Sequence, residues 1–177
     1  MIISPSYLEL QKELHARPEG YGDKGDKWAP AVADLVTRFG AKSVLDFGCG
    51  QGALARALCP VVDPSVRISE YDPAIAGKDE WPGSADVVVV TDVLEHVEPN
   101  WLFSTLRSLF HLARLATFAV VSTRPAQRIL ADGRNAHLII ESDEWWLDMF
   151  RSAGFVISPG PKSPHPKPAR ELSVVLT

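Results

Sequence analysis

The stretch Val44-Leu45-Asp46-Phe47-Gly48-Cys49-Gly50-Gln51-Gly52 decides how the chain reads. Residues 43–47 make a compact apolar run of strand type, which stops at three alternating glycines, and residues 53–58 are strong helix formers up to Pro60. The local order is strand, glycine turn, helix. Glycine permits the tight turn and lets a ligand lie against the backbone, and the amides at the start of the next helix are expected to point into that gap. A phosphate-binding loop would end in Gly-Lys-Ser/Thr, whereas Gly52 is followed by Ala53 and the turn holds no lysine. The spacing is G-x-G-x-G, not the G-x-G-x-x-G of dinucleotide sites, and Asp46 on the strand would repel a pyrophosphate. A cationic nucleoside without phosphate fits such a turn.

Working outward, residues 66–71 form a second strand ending at Asp72-Pro73, and residues 86–91 are a nearly pure valine run of the kind buried on both faces of a parallel sheet. Residues 101–112 are amphipathic and 117–122 are an apolar strand. A helix over 143–153 is capped by Ser142 or Asp143 and closed by Gly154. Strands at 155–158 and 172–176 finish the pattern, separated by an extended loop with five prolines in residues 159–168. Upstream, Tyr7, Leu8, Leu10, Gln11 and Leu14 mark a leading helix over 5–16. A Gly/Asp/Lys-rich loop covers 21–27, and Val32, Leu35, Val36 and Phe39 line one face of a helix over 28–39. Alternating strands and helices predict an α/β fold, a doubly wound parallel sheet whose last two strands pair antiparallel as a hairpin edge. No repeat or second domain is visible, so residues 1–177 read as one domain, with 1–27 a leading helix and lid loop and 28–177 the core.

The chain has 177 residues, 46% of them hydrophobic and 23% charged, enough for one sizeable core. Its net charge of -4 argues against gripping duplex DNA by bulk phosphate neutralisation. Two cysteines, Cys49 and Cys59, make no disulfide framework, and the first twenty residues lack signal-peptide character, so the expected location is the cytoplasm. The best uncharged apolar run, residues 115–121, is far short of the roughly 20 residues that span a bilayer, and no membrane partner is expected.

Val-Leu-Asp-x-Gly-Cys-Gly-x-Gly resembles the first motif of class I S-adenosylmethionine-dependent methyltransferases, a Rossmann-like family. Ser69-Glu70-Tyr71-Asp72-Pro73 is similar to the end of the family's second strand, whose acidic residue holds the ribose hydroxyls; Asp72 is the first candidate and Glu70 the reserve. Residues 86–99, ending Thr91-Asp92-Val93-Leu94-Glu95-His96-Val97-Glu98-Pro99, resemble its fourth strand and following loop. The resemblance implies S-adenosylmethionine as cofactor, bound by Asp46, Gly48, Cys49, Gly50, Gly52, Asp72, Pro73, Asp92 and Val93. Cys49 reads as small packing beside the turn, not a nucleophile. Residues 21–28 are placed over the donor. Only thirteen residues, 73–85, separate Asp72 from the valine strand, too few for a helix and another strand, so the family's third strand is predicted to be missing. With it would go the usual adenine contact, for which Asp79 or Trp81 would substitute, and the leading helix would cover the bared edge.

Asp92, Glu95 and His96 lie at i, i+3 and i+4, on one face if the chain turns helical after the strand. With His137 they resemble the acidic-x-x-Glu-His plus distant His set of metal-dependent O-methyltransferases, as in ubiquinone biosynthesis and the small-RNA terminal 2'-O-methyltransferases. That resemblance implies a divalent metal (Mg, Mn, Zn or Fe) on Asp92, Glu95, His96 and His137, acting on an acceptor hydroxyl. Without metal, His96 or His137 would serve as base, and the three catalytic candidates are His96, His137 and Glu95. Alternatively, this loop only packs beneath the donor. Residues 122–137 are a long polar loop in which Arg124, Arg128, Asp132, Arg134 and Asn135 are candidate acceptor contacts, with Trp145 walling the site. The expected acceptor is a small molecule with a sugar-like or other hydroxyl. A nucleic acid or nucleotide is the alternative, favoured by the arginine loop and by Lys162, Lys167 and Arg170. A donor-binding regulatory subunit without catalysis is the third reading.

Overall fold

Ser43–Phe47 (β1) is buried along its whole length, and the valine run at Ala85–Thr91 (β3) sends successive side chains to opposite faces, as the two-residue period of a strand requires. Val88 and Val90 enter one core layer and Val87 and Val89 the other. The computed structural model describes residues 2–17, 21–162 and 171–177. Its six strands, which include Arg67–Tyr71 (β2), Ala113–Ser122 (β4), Ile157–Pro159 (β5) and Glu171–Leu176 (β6), run in the order β2-β1-β3-β4-β6-β5. The first four are mutually parallel, and β6 pairs antiparallel with both β4 and β5. The doubly wound α/β sheet and the antiparallel hairpin edge are as expected. Lys167, Arg170 and most of the proline-rich loop lie outside the described residues.

Ala29–Phe39 (α2) and Ala53–Leu58 (α3) cover one face of the sheet, with Val32, Leu35, Leu54 and Leu58 against Val44 and Phe118. Pro99–Leu112 (α4) and Asp143–Ser152 (α5) cover the other, through Leu102, Leu106, Leu109, Trp146 and Phe150. The Ser142 hydroxyl accepts from the Trp145 amide to start α5, and Gly154, at φ +100°, ends it in a conformation that suits glycine.

Between Tyr71 and Ala85 there is no strand. The chain closes back on itself through turn hydrogen bonds from the Asp72 amide to the Lys78 carbonyl and from the Lys78 amide to the Ile75 carbonyl. β2, paired only with β1, is therefore an outer edge with Arg67 and Ser69 exposed. Pro5–His15 (α1) is not laid along that edge as expected. Its apolar residues Tyr7 and Leu14 pack with Leu130 and Ala136, which carries the helix across the carboxyl ends of the strands instead. Among the described residues no helix is long and apolar enough to cross a membrane.

Candidate functional site

The carboxyl ends of β1, β2 and β3 open into a cleft of about 1110 Å³, larger than the roughly 300–1,000 Å³ usual for one small ligand. Its floor is the glycine turn. Gly48, Gly50 and Gly52 all have positive φ, and the space a side chain would need is taken. A Cβ on Gly48 would lie 2.4 Å from Val93 Cγ2, and one on Gly50 2.4 Å from the Gly22 carbonyl oxygen. The turn's own amides, residues 48–52, are not free. Those of Gly48 and Cys49 donate to the Tyr71 carbonyl, those of Gly50 and Gln51 to Asp72 Oδ2 and the Gly22 carbonyl, and that of Gly52 to the Cys49 carbonyl. With its donors spent inside the protein, the turn has little to offer a phosphate.

What it offers is negative charge. Asp46 is 4% exposed and its Oδ2 has no hydrogen-bond partner. Burial, followed by the nearby Glu70 carboxylate, pushes its carboxyl up to about 7. Asp46 caps no helix. Asp72 is also buried; Oδ2 accepts from Gly50 N at 2.9 Å and Oδ1 from Ala74 N at 2.9 Å. Glu70 turns the other way to meet Lys78 at 3.0 Å and does not line the cleft. Eight of the nine expected donor-site residues line the cleft: Asp46, Gly48, Cys49, Gly50, Asp72, Pro73, Asp92 and Val93. Gly52 does not, because it is the N-terminal cap of α3, turned toward Glu70 and Lys78. The Cys49 thiol, pushed up to about 12 by burial, is packing. Trp81 stands edge-on to Tyr71 (5.5 Å) and Phe47 (6.2 Å), and neither it nor Asp79 lines the cleft.

At the far wall the chain leaves β3 through Asp92 at φ +56°, a left-handed residue, and enters a 3-10 turn, Leu94–His96. The shared helical face expected of Asp92, Glu95 and His96 is therefore not formed. Asp92 pairs instead with Lys27 at 3.2 Å, and Lys27 also reaches Glu171 at 3.5 Å. Glu95, His96 and His137 do come together, each offering a ligand atom within 4.8 Å of the others. Glu95 is fully buried beneath the cleft. Its Oε1 accepts from the Ser122 amide at 2.9 Å, Oε2 has no partner, and burial together with Asp92 pushes it up to about 8. His96 Nδ1 lies 2.8 Å from the Ala136 carbonyl and His137 Nδ1 lies 2.6 Å from that of Arg124, so both donate there and keep Nε2 as an acceptor. The rings meet edge-to-face at 4.7 Å. Burial pushes His96 down to about 3 and lowers His137 as well.

Of the six expected acceptor contacts, Arg124 and Arg128 line the cleft and four do not. Asp132 and Arg134 pair with each other at 2.7 Å on the loop tip. Both ends of the Asn135 amide are used on the Ala126 backbone, fixing the loop. Trp145 packs edge-on to Trp146 beside the core. Residues 21–25 and Lys27 line the cleft as expected, while Trp28 is wholly in the core against Phe118. The residues that sequence reading missed are Tyr7, Gln11, His15 and Glu171. Their signal was faint: Gln11 and His15 are polar positions in line with Tyr7 on a leading helix otherwise read only for its apolar face.

A family described as the methyltransferase domain matches residues 23–159. A search of curated proteins finds no match. Among solved structures, the chain is similar to the 1,6-didemethyltoxoflavin-N1-methyltransferase of Burkholderia thailandensis, crystallised with 1,6-didemethyltoxoflavin and S-adenosylhomocysteine. Identity is 16%, over 99% of this chain and 90% of that one, with TM-score 0.66. It is also similar to DhpI in complex with S-adenosylhomocysteine (20% identity, 97% and 93% covered, TM-score 0.63). A third likeness is magnesium protoporphyrin IX methyltransferase of Synechocystis PCC 6803, also with S-adenosylhomocysteine (16%, 98% and 95%, 0.61). With the motifs in place at the strand ends and the family matched over most of its length, the chain belongs to the methyltransferase-domain family and has its class I, Rossmann-like fold.

Proposed function

We propose that this protein transfers a methyl group from S-adenosylmethionine to a hydroxyl oxygen of a small-molecule acceptor. The observation that carries the reading is one cleft holding two kinds of chemistry: the buried Asp46 carboxylate, its Oδ2 without a partner, at the glycine turn, and two imidazoles across from it, His137 and a His96 whose Nε2 lies 3.4 Å from the Tyr21 hydroxyl. S-adenosylmethionine, when bound, supplies a methyl group made electrophilic by its sulfonium. Asp46 provides the counter-charge for a cationic ligand, and Asp72 has lone pairs left for ribose hydroxyls. Pro73 and Val93 give apolar surface to a base. His96, depressed to about 3, is too weak a base to take a proton at neutral pH, so it orients the acceptor hydroxyl and proton acceptance falls to His137. Tyr21, whose hydroxyl lies 3.2 Å from His96 Nδ1, seals this end from water. Positioning supplies most of the acceleration.

Glu95, His96 and His137 are also the side chains that would hold a divalent ion. Two neutral imidazoles and a carboxylate oxygen without a partner suit one, and it would lower the pKa of the acceptor hydroxyl. A nucleotide or RNA acceptor is the second reading, favoured by Lys24, Arg124 and Arg128 on the cleft wall.

The test is calorimetry with S-adenosylmethionine and S-adenosylhomocysteine, then transfer of a labelled methyl group to a panel of hydroxylated and ring-nitrogen acceptors and short RNAs, with and without chelator. The expected product is an O-methyl ether. His137→Ala is expected to lower kcat by about 100-fold with the S-adenosylhomocysteine Kd unchanged. No binding of either sulfur compound by folded protein would overturn the reading, and chelator-insensitive transfer would remove the metal from it.

A further inference from the structure

The side of α1 that faces the cleft is polar. Tyr7, Gln11 and His15 stand at i, i+4 and i+8, so they share one face of the helix; all three line the cleft, Tyr7 and Gln11 buried and His15 partly buried. Two of them satisfy each other: the Tyr7 hydroxyl accepts from Gln11 Nε2 at 2.7 Å and donates to the His96 carbonyl at 2.6 Å. His15 is less well served. Its side chain is 8% exposed, Nδ1 makes no hydrogen bond of normal geometry although the Tyr21 backbone lies near enough to favour the charged ring, and Nε2 stops 4.0 Å from Asp72 Oδ2, beyond hydrogen-bond distance.

An unsatisfied buried nitrogen costs about 1–3 kcal/mol, and an apolar side chain could fill the same space without that cost. The ring is nevertheless held firmly. Tyr21 stands edge-on to it at 4.9 Å, and Gly22 backs it so closely that a Cβ there would lie 2.8 Å from Cε1. Burial keeps the imidazole below its usual range, hence neutral, with one nitrogen to donate and one to accept. Asp72 has each oxygen engaged once, by Gly50 N and Ala74 N, with capacity on both remaining. A hydroxyl oxygen can sit within hydrogen-bond distance of both Nε2 and Oδ2 when these are 4.0 Å apart.

We propose that His15 is a donor-binding residue: with Asp72 it closes on the ribose hydroxyls of the nucleoside, gripping the sugar from the α1 side while the carboxylate grips it from β2. The inference rests on the reading of S-adenosylmethionine as donor and adds a requirement for a free ribose diol. It gives the polar stripe of α1 a purpose that packing does not.

The experiment is calorimetry on wild-type protein, His15→Ala and His15→Asn, with S-adenosylhomocysteine and its 2'-deoxy and 3'-deoxy analogues, each variant's fold checked by circular dichroism and thermal melting. His15→Ala is expected to weaken S-adenosylhomocysteine about tenfold. At least one deoxy analogue should bind the alanine variant no more weakly than it binds wild-type protein, because the contact it lacks is already gone. His15→Asn, which keeps a polar hydrogen-bonding group, should recover part of the loss. Equal Kd values for wild type and both variants would overturn the proposal, as would a His15→Ala loss of the same factor for all three ligands. If wild-type protein binds S-adenosylhomocysteine while either pattern appears, only His15 loses its role; if wild-type protein does not bind, the donor reading falls and takes this one with it.

Discussion

The floor of the cleft and its roof are built from different parts of the chain by different means. The floor is a contiguous turn whose amides close on Tyr71, Asp72, Gly22 and Cys49. The roof is a set of side chains: Tyr7, Gln11 and His15, brought over the floor by a helix that packs on Leu130 and Ala136, and Tyr21 from the loop that follows it. Main-chain chemistry leaves a spacing in the sequence because only glycine tolerates the φ values and the close approach. Side-chain chemistry assembled across a fold leaves no spacing at all: the Tyr7 hydroxyl meets a carbonyl 89 residues away.

The largest effect should come from the carboxylate on which floor and ligand both depend. Asp72→Ala removes the acceptor for two backbone amides and for the ribose, so its S-adenosylhomocysteine Kd is expected to rise by at least 100-fold, about 2.7 kcal/mol. Glu70→Ala, two residues earlier, within β2 and turned toward Lys78, should change the Kd less than threefold. Calorimetry on the pair checks this. The opposite ranking would make Glu70 the sugar's partner and break the account of the floor.

Asp46 gives a subtler contrast, because the floor keeps it at a cost. Its carboxyl sits near 7 when folded, against about 3.8 in the unfolded chain, so between these values the folded state holds the extra proton and stability falls as pH rises. Asp46→Asn loses that slope. Relative to wild type it should gain stability from pH 5 to pH 7 by about 2 kcal/mol, since nearly one proton separates the two states over most of that range, and gain almost no more above pH 8. Denaturant unfolding of the ligand-free proteins across this range reads the difference. The same variant should bind S-adenosylmethionine at least tenfold more weakly at pH 8, where wild-type Asp46 is ionised. Parallel pH profiles for the two proteins would mean that the buried carboxylate is compensated within the protein, and the electrostatic case for a cationic ligand would weaken.

How much could be read in advance follows the same division. The alternation of strands and helices and the antiparallel β5 and β6 were legible from hydrophobic period and spacing, and the absence of a strand between Tyr71 and Ala85 from the family resemblance set against the thirteen residues available. So was the place of Asp46, Gly48, Gly50 and Asp72 in the cleft, since it is tied to positions at strand ends. Asp92 was misplaced relative to Glu95 and His96 because i, i+3, i+4 spacing means a shared face only on a helix, and one left-handed residue at φ +56° rotates the chain out of that register. The loop contacts were overcalled for a related reason: polarity in a loop does not say whether a side chain meets a ligand, a neighbour or water. Asn135 spends its amide on Ala126, and Trp145 turns to Trp146. His15 was passed over because a helix read for its apolar stripe says nothing of what its polar positions will meet.

The smallest effect separates the two arginines that the loop holds in different settings. Arg124 lines the cleft, while Arg134 lies outside it, paired with Asp132 at 2.7 Å and stacked over the Tyr7 ring at 5.5 Å. An exposed pair of this kind contributes about 0–1 kcal/mol, and the cation–π contact adds a similar amount at a partly exposed site. Arg134→Ala should therefore lower the melting temperature slightly and leave kcat/KM within twofold. If Arg124 is an acceptor contact, as proposed, Arg124→Ala should leave stability unchanged and raise the acceptor KM several-fold with donor affinity unaffected. Steady-state kinetics with melting curves on both variants decides the matter: a KM effect at Arg134 equal to that at Arg124 would mean that the acceptor reaches past the cleft onto the loop tip, extending the roof's role from covering the donor to selecting what is methylated.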